Sequence, residues 1–573
     1  MIKHSVLFFR YCFLLPIIMA FMSSCVSAAE TANASFEQKV DSLLAPIADK
    51  ADAIVFYSLK IRGQSVPIVL IILGGTAIFL TIYFKFLNLR SVGLAIRTVK
   101  GKYTDKDAPG EITHFQALSA ALSATVGLGN IAGVAVAIGM GGPGATFWMV
   151  LMGLCGMTTK FCECTLGVKY RKIDDEGKVS GGAMYYLSQG LAERGLGGLG
   201  KVLAIFFAVM CIGGAFGAGN LFQVNQATTQ VVESFGVFSG EGEKFWFGAI
   251  LAVFVGLVII GGIKSIARVT SFLVPFMCVT YMLVAFVIIC THISELGSAI
   301  ELIVQSAFSP MAVGGGVVGV LIQGIKRAAF SNEAGIGSAP IAHSAVKTRK
   351  PASEGMVALL EPFTDTVVVC TMTALVLIIT GVWKVDAVAE KDALPLYQTA
   401  AMEKVVGSID KGEELRIIDK KKAEGDLGAR GQVWISEEQT AWVNYEGLTK
   451  VEGIGKTSRA FGEKFASFPK VLAVAVLLFA FSTMISWSYY GEQAVNYLCG
   501  KRRPAVILGY KVLFCALVVV GANASLDKVI LLSDAMLFAM VIPNMIGLYI
   551  LLPVVKKELA IFREHVSEIE SKK

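Results

Sequence analysis

The side chains of this sequence that could do chemistry lie inside apolar runs. The densest group is Thr125-Val126-Gly127-Leu128-Gly129-Asn130, which interrupts the apolar stretch 117–145. A glycine costs a helix interior about 1 kcal/mol. Here two glycines flank one residue and an asparagine follows. The stretch reads as a membrane helix broken at its midpoint. Hydrocarbon cannot satisfy free N–H and C=O groups, so a break at that depth must face protein, water, an ion or a substrate. Backbone amides near Leu128, Gly129 and Asn130 then suit a carboxylate, and carbonyls near Ser123 and Val126 suit a cation such as sodium. Together they describe a site for a small zwitterion. Packing between helices through small residues is the competing reading.

A second interrupted run weighs against that alternative. Residues 314–343 place Phe330, Ser331, Asn332, Glu333, Gly335, Gly337 and Ser338 at one depth. A carboxylate there is costly unless it faces a cavity or a partner. Glu333 therefore either balances a cation or ties down unwound backbone. Asn220, Gln223, Asn225 and Gln226 lie together on another apolar run. One such amide facing a cavity would donate to a carboxylate, and the others serve as interhelical glue. Ser482 and Thr483 are adjacent hydroxyls, and hard cations take oxygen ligands. With carbonyls from the first broken run they would make a sodium site, unless they bond back to the preceding turn. Trp487, one turn on, would wall the pocket. Of the other intramembrane ions, Lys160 and Glu163 read as a structural pair, and Asp365 as a proton-relay candidate. No nucleophile–base pair, paired carboxylates or phosphate-loop lysine is arguable, and the scattered cysteines and histidines suggest no metal cluster, so an enzyme reading has little support.

These residues need long apolar elements to hold them, and the composition supplies them. Of 573 residues, 55% are hydrophobic and 17% charged, and the mean hydropathy is +0.65. A span takes about 20 helical residues. The chain reads as an all-α polytopic membrane protein with eleven transmembrane helices, at about 66–88, 115–139, 145–168, 200–231, 246–263, 270–292, 314–343, 355–382, 468–490, 504–522 and 527–553. Basic residues fall on alternate loops (Arg90 and Lys100; Arg171 and Lys172; Lys264 and Arg268; Lys347 and Arg349; Arg502 and Arg503; Lys556 and Lys557), which marks those loops as cytoplasmic. Residues 1–28 resemble a cleavable signal peptide ending at Val26-Ser27-Ala28, and 29–62 a short extracytoplasmic segment. The mature N-terminus is expected outside a bacterial inner membrane and the tail, 554–573, inside. Two discontinuous helices, each opening a group of five, suggest a 5+5 inverted repeat of 115–292 and 314–553 within a membrane domain of 63–553. A polar insertion at 384–467 lies on the outer side, with no function to assign.

ALSATVGLGNIAGVAVAIGMGGPGATFW, GNLFQVNQ, FSNEAGIGSAPIAHSAVKT, EPFTDTVVVCTMTAL and FAFSTMISWSYYGE resemble segments of the alanine or glycine:cation symporters (sodium:alanine symporters). The resemblance implies the fold of the bacterial leucine transporter and import of alanine or glycine with sodium, sometimes with protons. It would put Leu128, Gly129, Asn130 and Gln223 on the substrate carboxylate, and backbone of the two broken spans on the ammonium. Phe330, Ile336 and Trp487 would bound the methyl pocket. Ser123, Val126, Ser482 and Thr483 would hold sodium as the coupling ion, with no other cofactor. Leu128 stands where the family often has a hydroxyl residue, and the outer insertion is longer than usual. Proton coupling, another neutral amino acid such as serine or glutamine, and a substrate-gated channel or sensor remain the alternatives.

Overall fold

The computed structural model describes residues 46–572 apart from 47, 62–63, 106, 239–240, 310–315, 422–429, 435–438, 452, 464–466, 501–502 and 524–526. The expected signal peptide and most of 29–62 lie outside the described residues.

Helices carry the fold. The first is α1, Ile68–Tyr83. Two short helices, Leu87–Arg90 and Val92–Val99, lead to α2, His114–Thr125, which opens on a capping box. There the Thr113 hydroxyl accepts the Gln116 N–H at 3.2 Å, and the Gln116 side chain accepts the Thr113 N–H at 3.0 Å. A π turn over Gly129–Gly133 leads into α3, Val134–Gly141. The two halves are bent by 53°. Then follow α4, Ala145–Lys169, α5, Gly197–Phe216, α6, Phe222–Phe235, and α7, Gly262–Thr291.

The second interruption is also present. Helix α8, Gly316–Asn332, stops, and α9, Pro340–His343, resumes. Between them Glu333, Gly335 and Gly337 have φ of 56°, 92° and 86°. Glycine adopts that left-handed region without a Cβ clash, which is why two glycines stand there. Asn332 caps the stop by accepting the Ala334 N–H at 2.9 Å. After α10, Pro351–Ala358, and α11, Thr371–Ile379, the chain leaves the helical body and returns through α12, Ile454–Gly462. Last come α13, Phe468–Cys499, α14, Pro504–Asn523, α15, Asp527–Ala539, and α16, Val541–Ser571.

Among the described residues, seven helices are long and apolar enough to cross a bilayer, and the bent pair α2–α3 makes an eighth. Helix α7 shows the outer face of such a protein. Phe272, Phe276, Val279, Leu283 and Phe286 are all at least half exposed, at spacings of four and three that make one apolar stripe. A stripe that size in water would be a liability; in hydrocarbon it is at rest. Helices α4 and α13 are the inner posts. The first packs on α1, α8 and α10, and the second on α2, α5, α6 and α7.

The polar insertion folds as β structure, which the sequence reading did not anticipate. Its strands are β1 Ala387–Ala389, β2 Leu394–Tyr397, β3 Val405–Ile409, β4 Glu414–Leu415, β5 Ile417–Lys421, β6 Arg430–Trp434, β7 Thr440–Asn444 and β8 Leu448–Lys450. One antiparallel sheet runs β3-β2-β7-β6-β5 and a second β8-β1-β4. Ala389, Leu396, Leu415, Val433 and Val443 belong to an apolar core of its own. Helix α12 ties it to the membrane body, and Arg459 of that helix also pairs with Glu414. Lys456 Nζ meets Asp386 Oδ1 at 2.6 Å, and the Thr457 hydroxyl donates to the Ile131 carbonyl, in the π turn, at 3.2 Å.

Candidate functional site

The break after α2 is built by one side chain. Val126 turns extended, with ψ at 95°. In a continuous helix the Gly127 N–H would reach back to Ser123 O. Instead it donates to Asn130 Oδ1 at 2.8 Å. The Thr483 hydroxyl of α13 then donates to the Ser123 carbonyl at 3.1 Å. The Asn130 amide nitrogen reaches the other way, to Asp365 Oδ1 at 2.6 Å and Ser331 Oγ at 3.0 Å. Ser331 and Thr366 hydroxyls each donate to Asp365 Oδ2 at 2.7 Å. Asn130 thus fixes the first break and pins it to the end of α8. Its side-chain amide is fully engaged in doing so, and its own N–H donates to Gly127 O at 3.2 Å, which leaves the N–H groups of Leu128 and Gly129 for a ligand.

Beside the break is a cavity with about 20 Å³ of free space, lined by Ala124, Thr125, Gly127, Gly129, Ala218, Gln223, Phe330, Glu333, Trp487 and Leu537. That is room for about one water molecule, so an amino acid enters only as the walls part. Four of the sequence-derived substrate residues line it: Gly129, Gln223, Phe330 and Trp487. Leu128 and Ile336 are fully buried, Asn130 nearly so, and none of the three is on the cavity wall. The N–H groups of Leu128 and Gly129 open the second half-helix, where leading amides lack intrahelical partners.

Gln223 sits oddly for a carboxylate donor. Its amide nitrogen already donates to Ala218 O at 3.0 Å, and its buried Oε1 has no partner. That oxygen lies 3.7 Å from where a side chain on Gly127 would begin. As drawn, it offers an acceptor to an ammonium; to serve a carboxylate the amide must turn over and release Ala218. Trp487 is held against the chain opposite. A Cβ on Gly219 would fall 2.3 Å from the Trp487 Cβ, so that glycine is what lets the indole stand where it does. Phe330 meets Phe222 edge-on at 6.2 Å.

The four sodium candidates divide. Ser123 O and Thr483 Oγ1 face each other, as described. The Ser482 hydroxyl points elsewhere, bonding back to Phe479 O at 2.9 Å and toward Met277 Sδ at 3.6 Å. Adjacent helical residues diverge by about 100°, so the two hydroxyls do not act together. Ser486, three residues beyond Thr483, comes to that face instead, donating to Ser123 Oγ at 2.9 Å. The Ser123 hydroxyl donates to Ser482 O at 2.6 Å. Ser123 O, Thr483 Oγ1 and Ser486 Oγ, with Val126 beside the break, supply the neutral oxygens a hard monovalent cation prefers.

One expected pair is wrong. Lys160 does not bond Glu163; its Nζ meets Glu361 Oε1 at 2.9 Å. Glu163 accepts from Asn544 Nδ2, which also donates to Gly335 O at 2.8 Å. Glu333, left open by the sequence, accepts from the Ser338 hydroxyl and reaches the cavity wall. Four participants were missed. Ser486 carried a signal in its spacing from Thr483. Ala124, Ala218 and Leu537 carried none.

The fold is a polytopic helical body with two interrupted helices meeting beside a small buried cavity, the architecture of a membrane transporter. The family model described as the sodium:alanine symporter family matches residues 54–413 and 438–573. The chain belongs to that family, whose members are cation-coupled amino-acid transporters and not enzymes. The sodium/alanine symporter AgcS of Methanococcus maripaludis is 38% identical over 499 residues, 87% of this chain and 94% of that protein. Two Bacillus subtilis proteins are also similar. The probable sodium/glutamine symporter GlnT is 30% identical over 85% of this chain and 86% of its own length. The putative sodium/proton-dependent alanine carrier protein YrbD is 31% identical over 86% and 89%. Among solved structures, MhsT in complex with L-phenylalanine aligns with 80% of this chain and 99% of its own at a TM-score of 0.45 and 14% identity. The residues the family model passes over, 414–437, run from β4 through β6.

Proposed function

We propose that this protein imports alanine or glycine together with sodium, by alternating access across a bacterial inner membrane. The topology is eleven spans in a 5+5 inverted repeat, with the mature N-terminus outside and the tail in the cytoplasm. The observation that carries the reading is the break at Val126–Asn130. It turns the Ser123 carbonyl toward the Thr483 hydroxyl, and it sets the Leu128 and Gly129 amides beside a cavity walled by Gln223, Phe330 and Trp487.

Sodium takes Ser123 O, Val126 O and Thr483 Oγ1, with Ser486 replacing the Ser482 hydroxyl. The substrate carboxylate takes the amides that open the second half-helix, and the ammonium lies toward Gln223 Oε1 and Glu333. Phe330, Trp487 and Leu537 leave little depth for a side chain, which favours alanine or glycine over glutamine. Both ligands order the same broken segment, so each strengthens the other's binding by an equal factor.

Purified protein in liposomes, given an inward sodium gradient, should concentrate labelled alanine above the outside level. Replacing sodium with potassium should abolish that uptake. Equal uptake in both salts rejects sodium symport, and uptake that never exceeds equilibration points to a channel. Competition by glycine, serine and glutamine ranks the substrates.

A further inference from the structure

A chain of ionisable side chains lies apart from the cavity, at the end where the basic loops gather. His114 opens α2, Lys160 is on α4, His343 closes α9, and Glu354 is on α10 with Glu361 one residue past Leu360. All five are at most 3% exposed. Glu354 accepts from His114 Nδ1 on one oxygen and faces His343 Nδ1 at 2.5 Å on the other. The second ring nitrogen of His343 lies 3.5 Å from Glu361 Oε2, and Lys160 Nζ bonds Glu361 Oε1 at 2.9 Å.

The ring geometry sets a proton count. A neutral imidazole offers one donor and one acceptor. With both carboxylates ionised, a neutral His343 would aim a lone pair at a carboxylate oxygen. An imidazolium donates to Glu354 Oε1 and carries its charge to within 3.5 Å of Glu361 Oε2, an ion-pair contact with no hydrogen bond in it. Charge agrees: two carboxylates balance Lys160 and one imidazolium, and removing the proton leaves an uncompensated negative charge away from water, which is strongly unfavourable.

Other ionisable groups surround the chain. Arg171 is near Glu354, though its guanidinium is spent on the carbonyls of Pro109, Ser344, Val346 and Thr348. Glu163, Glu333 and Cys164 lie around Lys160, and Asp365 and Tyr490 lie toward Glu361. Glu558 and Arg97, on packed helices, turn away to Lys169 and Glu570.

We propose that His114, Lys160, His343, Glu354 and Glu361 form a proton-binding site, holding one exchangeable proton on His343 between two carboxylates and fastening the cytoplasmic end shut while it is occupied. The site joins the start of α2, the middle of α4, the return of the second interrupted span and α10. Those are the pieces that must separate to release cargo inward. Loss of the proton leaves Glu354 and Glu361 facing a neutral ring and loosens that closure. The proton-binding claim stands on geometry alone; its effect on transport rests on the symport reading.

The chain has five histidines, so ¹⁵N-histidine spectra of the full protein in nanodiscs can be assigned. His343→Gln identifies its signal, or, should that variant not fold, elimination through His4→Gln, His114→Gln, His292→Gln and His565→Gln does. At about pH 7 the ring should carry protons on both nitrogens and lose one in a single step as pH rises. A neutral ring at about pH 7 overturns the site. In liposomes at fixed external pH, raising the interior from about pH 6 to about pH 8.5 should speed sodium-driven alanine uptake about threefold or more. His343→Gln should flatten that profile. A flat wild-type profile beside a doubly protonated ring overturns the gating role. If no alanine moves at any pH, the symport reading fails, while the spectrum still decides the site.

Discussion

Replacing Thr483 by valine isolates the oxygen on which the sodium assignment turns. The two side chains have the same shape, and Thr483 is 2% exposed, so the helix contacts survive while one hydroxyl becomes a methyl. In the absence of sodium the change removes the 3.1 Å bond to Ser123 O. A hydrogen bond of that kind contributes about 0.5–1.5 kcal/mol. With sodium bound, the loss is a contact to a full charge, about 1.5–3 kcal/mol. Only the difference between the two losses, about 1–1.5 kcal/mol, reaches the affinity, so at 1.4 kcal/mol per tenfold the half-saturating sodium concentration should rise about 5- to 12-fold. The assay is alanine uptake into liposomes against external sodium, at saturating and at low alanine. Thr483→Ser, which keeps the oxygen, should stay within about threefold of the parent. By reciprocity the valine variant should also bind alanine more weakly at low sodium and recover it at high sodium. A folded valine variant with an unshifted sodium curve would refute the assignment, whatever became of the fold.

Gln223→Ala should weaken alanine binding about tenfold, through one polar contact of about 1.4 kcal/mol, and leave sodium binding without substrate nearly unchanged; isothermal titration separates the two. Gly219→Ala drives a Cβ into the Trp487 side chain, 2.3 Å away. It should destabilise the protein by about 1–3 kcal/mol and abolish uptake even where it folds, read by thermal unfolding beside transport. Lys160→Met leaves Glu361 buried without its ammonium and should cost about 3–5 kcal/mol, while the double variant Lys160→Met with Glu361→Gln should recover part of that loss. If the double variant costs as much as Lys160→Met and Glu361→Gln added together, the pair is not coupled.

The interrupted helices were legible because their signal is local. Two glycines and an asparagine stop a helix wherever it sits, and hydrocarbon leaves few reasons to stop one. Gln223, Phe330 and Trp487 were reached partly by residue type and partly by likeness, and all three stand at the cavity. What the sequence could not say was which way a hydroxyl turns. Ser482 and Thr483 look equivalent in a string; on the helix one faces α7 and the other α2. Lys160 and Glu163 read as a structural pair near the inner end of one span, but the partner of Lys160 comes from a stretch of sequence 201 residues away. The β insertion reads only as polar because its strands are two to five residues long, too short for alternation to stand out from loop, and one of them, Ile417–Lys421, carries charge on both faces.

Coupling between ion and cargo needs an element that both ligands order, and the structure supplies one in Asn130. Its oxygen holds the Gly127 N–H and so frees Ser123 O from its helical partner, where the proposed sodium would bind. Its nitrogen holds Asp365 and Ser331, and Ser331 immediately follows Phe330 at the cavity wall. A cation on Ser123 O therefore stabilises the same arrangement of Asn130 that fixes the amides of the second half-helix and the end of α8. Neither ligand has to touch the other. Each needs only to bind better when that one amide is locked, and a differential affinity of about 1–3 kcal/mol between locked and unlocked forms would couple the sites by about 5- to 150-fold.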